Sequence, residues 1–256
     1  MKLKSYIQYT FREQINKPFL IVLFICLIAI FFILVLVSHL ALSYEGTFFE
    51  SFSYFLWDTT LVFLGIYFGS KLYTKDFTQN TLGKLLIPLG IIPGEILIYR
   101  TLSFGVFMSV LGFLLYFSRY IMCLIQDHSD SYSIHILMLI FSLYRSFLSL
   151  TISSFLGLFI RPLLSLIVTS LFSIISATFD TYPSDSIYGI ILSKLNFLNP
   201  HILILEFMDG HWVIPSSKDL IYKSTWTLGL CMILMYLSYL KINRLYPQKR
   251  LFSEKE

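Results

Sequence analysis

The chain has 256 residues, of which 56% are hydrophobic and 13% charged, with a mean hydropathy of +0.75. A soluble domain carries about 25% charged residues, and half that share cannot cover a water-soluble protein of 29.8 kDa. Composition therefore excludes a soluble enzyme, a disordered chain and a nucleic-acid-binding module, and points to an integral membrane protein. The net charge of +4 is small, so the placement of the basic residues matters more than their excess.

The first segment, Met1 to Lys17, is not a span. Leu3, Tyr6, Ile7, Phe11 and Ile15 recur at three- and four-residue spacing, while Lys2, Lys4, Arg12, Glu13 and Lys17 fall largely elsewhere. This pattern predicts a basic amphipathic helix over residues 1–18, lying in the inner membrane interface and bent at Pro18. A spanning helix needs about 20 mostly apolar residues. Six runs meet that need: Phe19–Leu42, Phe52–Leu72, Ile98–Leu124, Ile134–Ile160, Leu163–Phe179 and Leu220–Leu240. The first is too long for the hydrophobic region of a signal peptide, which has roughly 7–15 residues. Continuous runs rather than alternating ones predict an all-α membrane protein with six transmembrane helices.

The basic residues choose the orientation. With the N-terminus inside, inner segments and adjoining span ends hold fourteen of the 19. Outer ones hold Arg119, Lys194, Lys218 and Lys223, and Arg145 lies within the fourth span. The bias puts both termini in the cytoplasm.

The inner segment between spans two and three, residues 73–97, is the most informative. Leu82, Leu85, Leu86 and Leu89 make one apolar face of a short helix. Asp76 and Thr78 are candidates to start it, since their side chains accept from exposed backbone N–H groups. Pro88, Gly90, Pro93 and Gly94 then break regularity. A short surface helix tied between two spans is a lever for a soluble partner. The outer segment, residues 180–219, contains Ile187–Leu198 and His201–Phe207, which are too short to span and suit interfacial or re-entrant pieces. Trp212 and Trp226 suit an interfacial aromatic belt.

Asp58 in the second span and Arg145 in the fourth are the intramembrane polar candidates. Ionisable groups there are costly and suggest function by default. They either pair, line a polar path, or contact local hydroxyls. Cys26, Cys123 and Cys231 sit in apolar runs far apart, so neither a metal site nor a disulfide framework is expected. The chain has no HExxH, no GxSxG and no paired intramembrane carboxylates, which leaves little for a membrane-embedded enzyme.

The layout resembles the permease subunits of type 2 ATP-binding-cassette (ABC) exporters. The family pattern is an amphipathic elbow helix, six spans and cytoplasmic termini. Its segment between spans two and three carries an acidic residue, Gly-Thr-Leu, a Leu-Leu pair and a Pro. Here the match is Asp76, Asn80-Thr81-Leu82, Leu85-Leu86 and Pro88, with Arg100 near the basic residue that opens span three. Asn80 replaces the family's Gly, and Ile91 and Ile92 stand where a basic residue usually follows the Pro.

The resemblance implies one transmembrane permease domain over residues 1–256, not itself an enzyme. Asp76, Asn80, Thr81, Leu82, Leu85, Leu86 and Pro88 would form the coupling helix, docked on a separate ATP-binding subunit. The chain lacks GxxxxGK[ST], so ATP and Mg would be bound by that partner and no cofactor by this chain. A second permease chain, identical or related, would complete a two-fold assembly in the cytoplasmic membrane. A membrane anchor or assembly subunit that moves no small molecule is the alternative.

Overall fold

The computed structural model describes residues 3–15, 45–73, 92–125, 132–177, 206–208, 211–213 and 217–245, with isolated helical positions 25, 28, 29 and 32. The helices are α1 (Leu3–Ile15), α2 (Glu45–Tyr73), α3 (Pro93–Ile125), α4 (Tyr132–Leu156), α5 (Pro162–Ala177) and α6 (Ser217–Leu245). Among the described residues, three stretches are long and apolar enough to cross a bilayer: Pro93–Phe117, His135–Leu156 and Leu220–Leu245. Pro162–Ser173 is a shorter apolar helix. The chain is a helical membrane protein.

The expected boundaries shift in informative ways. Pro93 does not interrupt the chain; it opens α3. Proline has no N–H to lose at a first helical turn, and its fixed φ suits that position. α4 stops at Leu156, where the Gly157–Ile160 turn begins, rather than at Ile160. Of span one, Ile25, Ile28, Ala29 and Phe32 are described; they are helical and exposed, on one face. A short antiparallel hairpin, β1 (Glu206–Met208) with β2 (His211–Val213), accompanies the helices. Asp209-Gly210 stands between its strands, the dipeptide that most favours a two-residue hairpin turn.

Apolar side chains such as Leu64, Ile66, Phe104, Phe107, Phe141 and Leu148 pack inside α2, α3 and α4, whereas α5 and α6 are inside-out. On α5, Ser165, Thr169 and Ser173 are buried at four-residue spacing, while Leu163, Leu164, Ile167, Val168 and Leu171 are exposed. On α6, Thr227, Cys231 and Ser238 are buried, while Met232, Ile233, Tyr236 and Leu237 are exposed. In water this arrangement would waste every large apolar side chain. In lipid it costs nothing, because acyl chains are as apolar as leucine, and small polar residues let helices approach and hydrogen-bond.

The chain forms two compact units. The first comprises Met1–Leu61, Ser103–Leu143 and Leu205–Ile214. In it α3 and α4 run antiparallel. The Tyr120 ring meets His135 edge-on at 5.4 Å, and the Tyr116 and Ser142 hydroxyls hydrogen-bond at 2.6 Å. Gly112 lets Leu139, Leu143 and Leu61 close in. α1 joins through Phe11, edge-on to Phe107 at 5.1 Å, with Thr10 fully buried. Phe107 lies about 21 Å beyond Pro93 along the helix axis, at 1.5 Å per residue. α1 therefore packs on α3 about four turns past its start.

The second unit comprises Val62–Leu102, Tyr144–Ile204 and Pro215–Glu256. Here the Gly94 N–H donates to Asn243 Oδ1 at 2.9 Å. The end of α6 thus satisfies an orphan donor at the start of α3, and the Tyr239 ring closes against Gly94. Asn243→Ala should lower stability by about 1 kcal/mol, as for other lost caps. Thermal unfolding in detergent checks this, with Asn243→Asp, which keeps an acceptor, close to wild type.

Candidate functional site

The residues that the sequence singles out for coupling, Asp76, Asn80, Thr81, Leu82, Leu85, Leu86 and Pro88, lie outside the described residues. What is described is the frame they hang from: the end of α2, the start of α3, and the parts of the second unit packed against both.

That frame is built on a close approach of α2 and α4. Gly65 and Gly69 sit one turn apart on α2. A Cβ on Gly65 would collide with the Ser146 carbonyl oxygen. One on Gly69 would collide with the Leu150 carbonyl oxygen and lie 2.9 Å from the Ser153 Cβ. The neighbours follow in the same order along both helices, so α2 and α4 run parallel here. The stripe on α4 is serine: Ser146, Ser149 and Ser153 are all buried. Ser153 joins three helices. Its hydroxyl donates to the Ile66 carbonyl of α2 at 2.9 Å, and its carbonyl accepts the Ser165 hydroxyl of α5 at 2.8 Å. Thr169 in turn donates to the Ser165 carbonyl at 2.8 Å. Hydroxyl bonds between membrane helices contribute about 0.6 kcal/mol on average and up to about 1.7. Ser153→Ala and Ser165→Ala should each cost that much. A double-mutant cycle on unfolding in detergent should show near-additive losses, because Ser153→Ala keeps the carbonyl that accepts from Ser165 and the two hydroxyls share only a 3.4 Å contact.

One end of this unit is basic. A Cβ on Gly157, just past α4, would lie 3.4 Å from the Ser70 carbonyl near the end of α2. The Lys241 ammonium stands 4.8 Å from the Phe159 ring centroid, tying the end of α6 to the α4–α5 turn. The Asn243–Gly94 bond adds the start of α3. Lys71, Arg161 and Arg244 are exposed at these helix ends. The Lys71 ammonium donates to the Tyr67 hydroxyl at 2.7 Å and lies 4.0 Å from that ring's centroid. Arg100, two turns into α3, is only 1% exposed. Its position in the sequence marks a basic span end, not a buried guanidinium.

Further from the basic end, a small cavity of ≈ 10 Å³ lies between Leu97, Ile98, Thr101, Thr151, Ser154, Met235 and Ser238. One water needs about 10–15 Å³. Thr101, Thr151 and Ser238 turn their hydroxyls back to carbonyls of their own helices, at Leu97, Leu148 and Leu234. The Thr151 hydroxyl also reaches the buried Cys231 thiol at 3.5 Å.

Asp58 is buried in the first unit, beside Trp57 and one turn after Tyr54, both also buried. Arg145 is half-buried on α4, in the second unit. His135 is buried at the start of α4 against Tyr120. The glycine pair and the serine stripe were not picked out as sites. Gly65-x-x-x-Gly69 within an apolar run is itself a helix-packing motif, and serines at four- and three-residue spacing mark one helix face. Comparison of the chain with family models, with curated proteins and with solved structures finds no match.

Proposed function

We propose that the chain is the membrane-spanning permease subunit of an ABC-type exporter, moving substrate across the cytoplasmic membrane with energy from a separate ATPase. The observation that carries this reading is the basic end of the second unit. The end of α2 at Ser70, the turn at Gly157 and Phe159, the end of α6 at Lys241 and Asn243, and Gly94 at the start of α3 are linked there by contacts, with Lys71 and Arg161 exposed beside them. The segment with Asp76, Asn80, Thr81, Leu82, Leu85, Leu86 and Pro88 leaves from α2 and returns into α3 at that end. Positive charge favours the cytoplasmic side, where an ATPase would be met. α2 is held to α4 by backbone-level contact and α3 to α6 by a cap. A push on the segment would therefore move packed helices rather than slack chain. ATP and Mg stay in the partner, and a second permease chain completes the pathway.

The test is a mild-detergent pull-down of tagged full-length chain from its native host, with mass spectrometry and an ATPase assay. Copurification of an ABC ATP-binding protein near equal stoichiometry is the expected result. A clean preparation without it overturns the proposal and moves the anchor and enzyme readings forward.

A further inference from the structure

We infer that the α4–α5 turn and the end of α6 form a binding site for an anionic phospholipid, its headgroup on Arg161 and Lys241 and an acyl chain along α5. The inference requires a helical membrane protein and does not rest on the transport reading. Three observations converge. First, one turn carries a cation of its own and receives a second from α6. Lys241 of α6 stands over the ring of Phe159, and Arg161 follows two residues later. Second, the turn is well ordered by its own backbone bonds. The N–H groups of Gly157, Phe159 and Ile160 donate to the Ser153 and Leu156 carbonyls, and the Arg161 carbonyl accepts the Ser165 N–H at 2.9 Å. Arg161 is therefore presented at a fixed place rather than on slack chain. Third, the surface below the cations is apolar and open. Leu163 is 71% exposed and Leu164 49%, with Ile167, Val168 and Leu171 continuing along α5. Phe159, itself 55% exposed, screens one side of Lys241 from water.

Cations above an apolar stripe match a ligand with a phosphate above a hydrocarbon tail. A soluble anion would use only the upper half, and a zwitterionic lipid would bring its own cation to the cationic pair. Basic recesses between membrane helices are suited to anionic headgroups on electrostatic grounds, with each Lys or Arg near the surface worth about fivefold in affinity.

The experiment is native mass spectrometry of the full chain in mixed micelles titrated with phosphatidylglycerol or with chain-matched phosphatidylcholine. Preferential retention of phosphatidylglycerol is expected, falling about 25-fold in the Arg161→Gln/Lys241→Gln variant. The variant's helix content and unfolding temperature are measured alongside. Lys218→Gln, an exposed lysine at the opposite end of α6, should leave retention unchanged. Leu163→Gln/Leu164→Gln should weaken phosphatidylglycerol while leaving the headgroup cations in place. Equal retention of the two lipids overturns the site. So does an equal loss in Lys218→Gln, which would mean bulk charge alone. If the double-cation variant misfolds, inorganic phosphate decides on wild type. Failure of millimolar phosphate to displace the lipid supports the site, and full displacement overturns it in favour of a free anion.

Discussion

Replacing Gly69 with leucine is expected to destabilise the protein by about 3 kcal/mol, the upper part of the range for overpacking a close contact. The obstacle is backbone. The first added carbon would collide with the Leu150 carbonyl oxygen and lie 2.9 Å from the Ser153 Cβ, and neither can rotate aside. α2 must then move off α4, which also breaks the bond from Ser153 to the Ile66 carbonyl. Thermal unfolding in detergent is the measurement, and Gly229→Leu is the control. A Cβ on Gly229 meets nothing within 4 Å, so that change should stay within about 0.5 kcal/mol of wild type. Wild-type unfolding of Gly69→Leu would mean that α2 and α4 do not approach so closely.

Leu82→Asp and Leu85→Asp are expected to uncouple ATP hydrolysis from transport. On the proposed function, these leucines form the apolar face that docks on the ATPase. A carboxylate there would be desolvated without a partner, and losing such an anchor weakens an interface by about 2 kcal/mol or more, roughly 30-fold. Reconstituted vesicles give the readout: transport should fall with the ATPase affinity, while the variant chains keep wild-type helix content. If both variants bind the ATPase and transport normally, the coupling assignment is wrong.

The membrane class was legible because composition and run length act locally: an apolar stretch of about 20 residues has one stable environment. Helix starts were less legible. Pro93 reads as a breaker in isolation, yet it opens α3, because a proline at a first turn and one inside a helix look alike until the chain on both sides is placed. Gly65 and Gly69 carried a usable signal in their spacing, and the serine stripe of α4 carried a weaker one. Their pairing was not legible, since nothing in either helix says which neighbour it meets. The burial of Arg100 was hidden for the same reason: a guanidinium near a span end is equally consistent with snorkelling to water and with a packed interior. The small hairpin carried its signal in Asp209-Gly210, which an apolar chain of this kind makes easy to pass over.

The inside-out helices bear on how stability responds to temperature. In a soluble domain, unfolding wets apolar surface, and the resulting heat-capacity increase bends the stability curve into a dome. Here the leucines and isoleucines of α5 and α6 already face outward, toward acyl chains. Parting α5 and α6 from their neighbours within lipid uncovers mostly serine and threonine, and the apolar core of α2, α3 and α4 would meet acyl chains, not water. The heat-capacity change of that step is correspondingly small, so the helix assembly has little thermodynamic reason to loosen on cooling. Its tolerance of heat is governed by the enthalpy of close contacts and hydroxyl bonds.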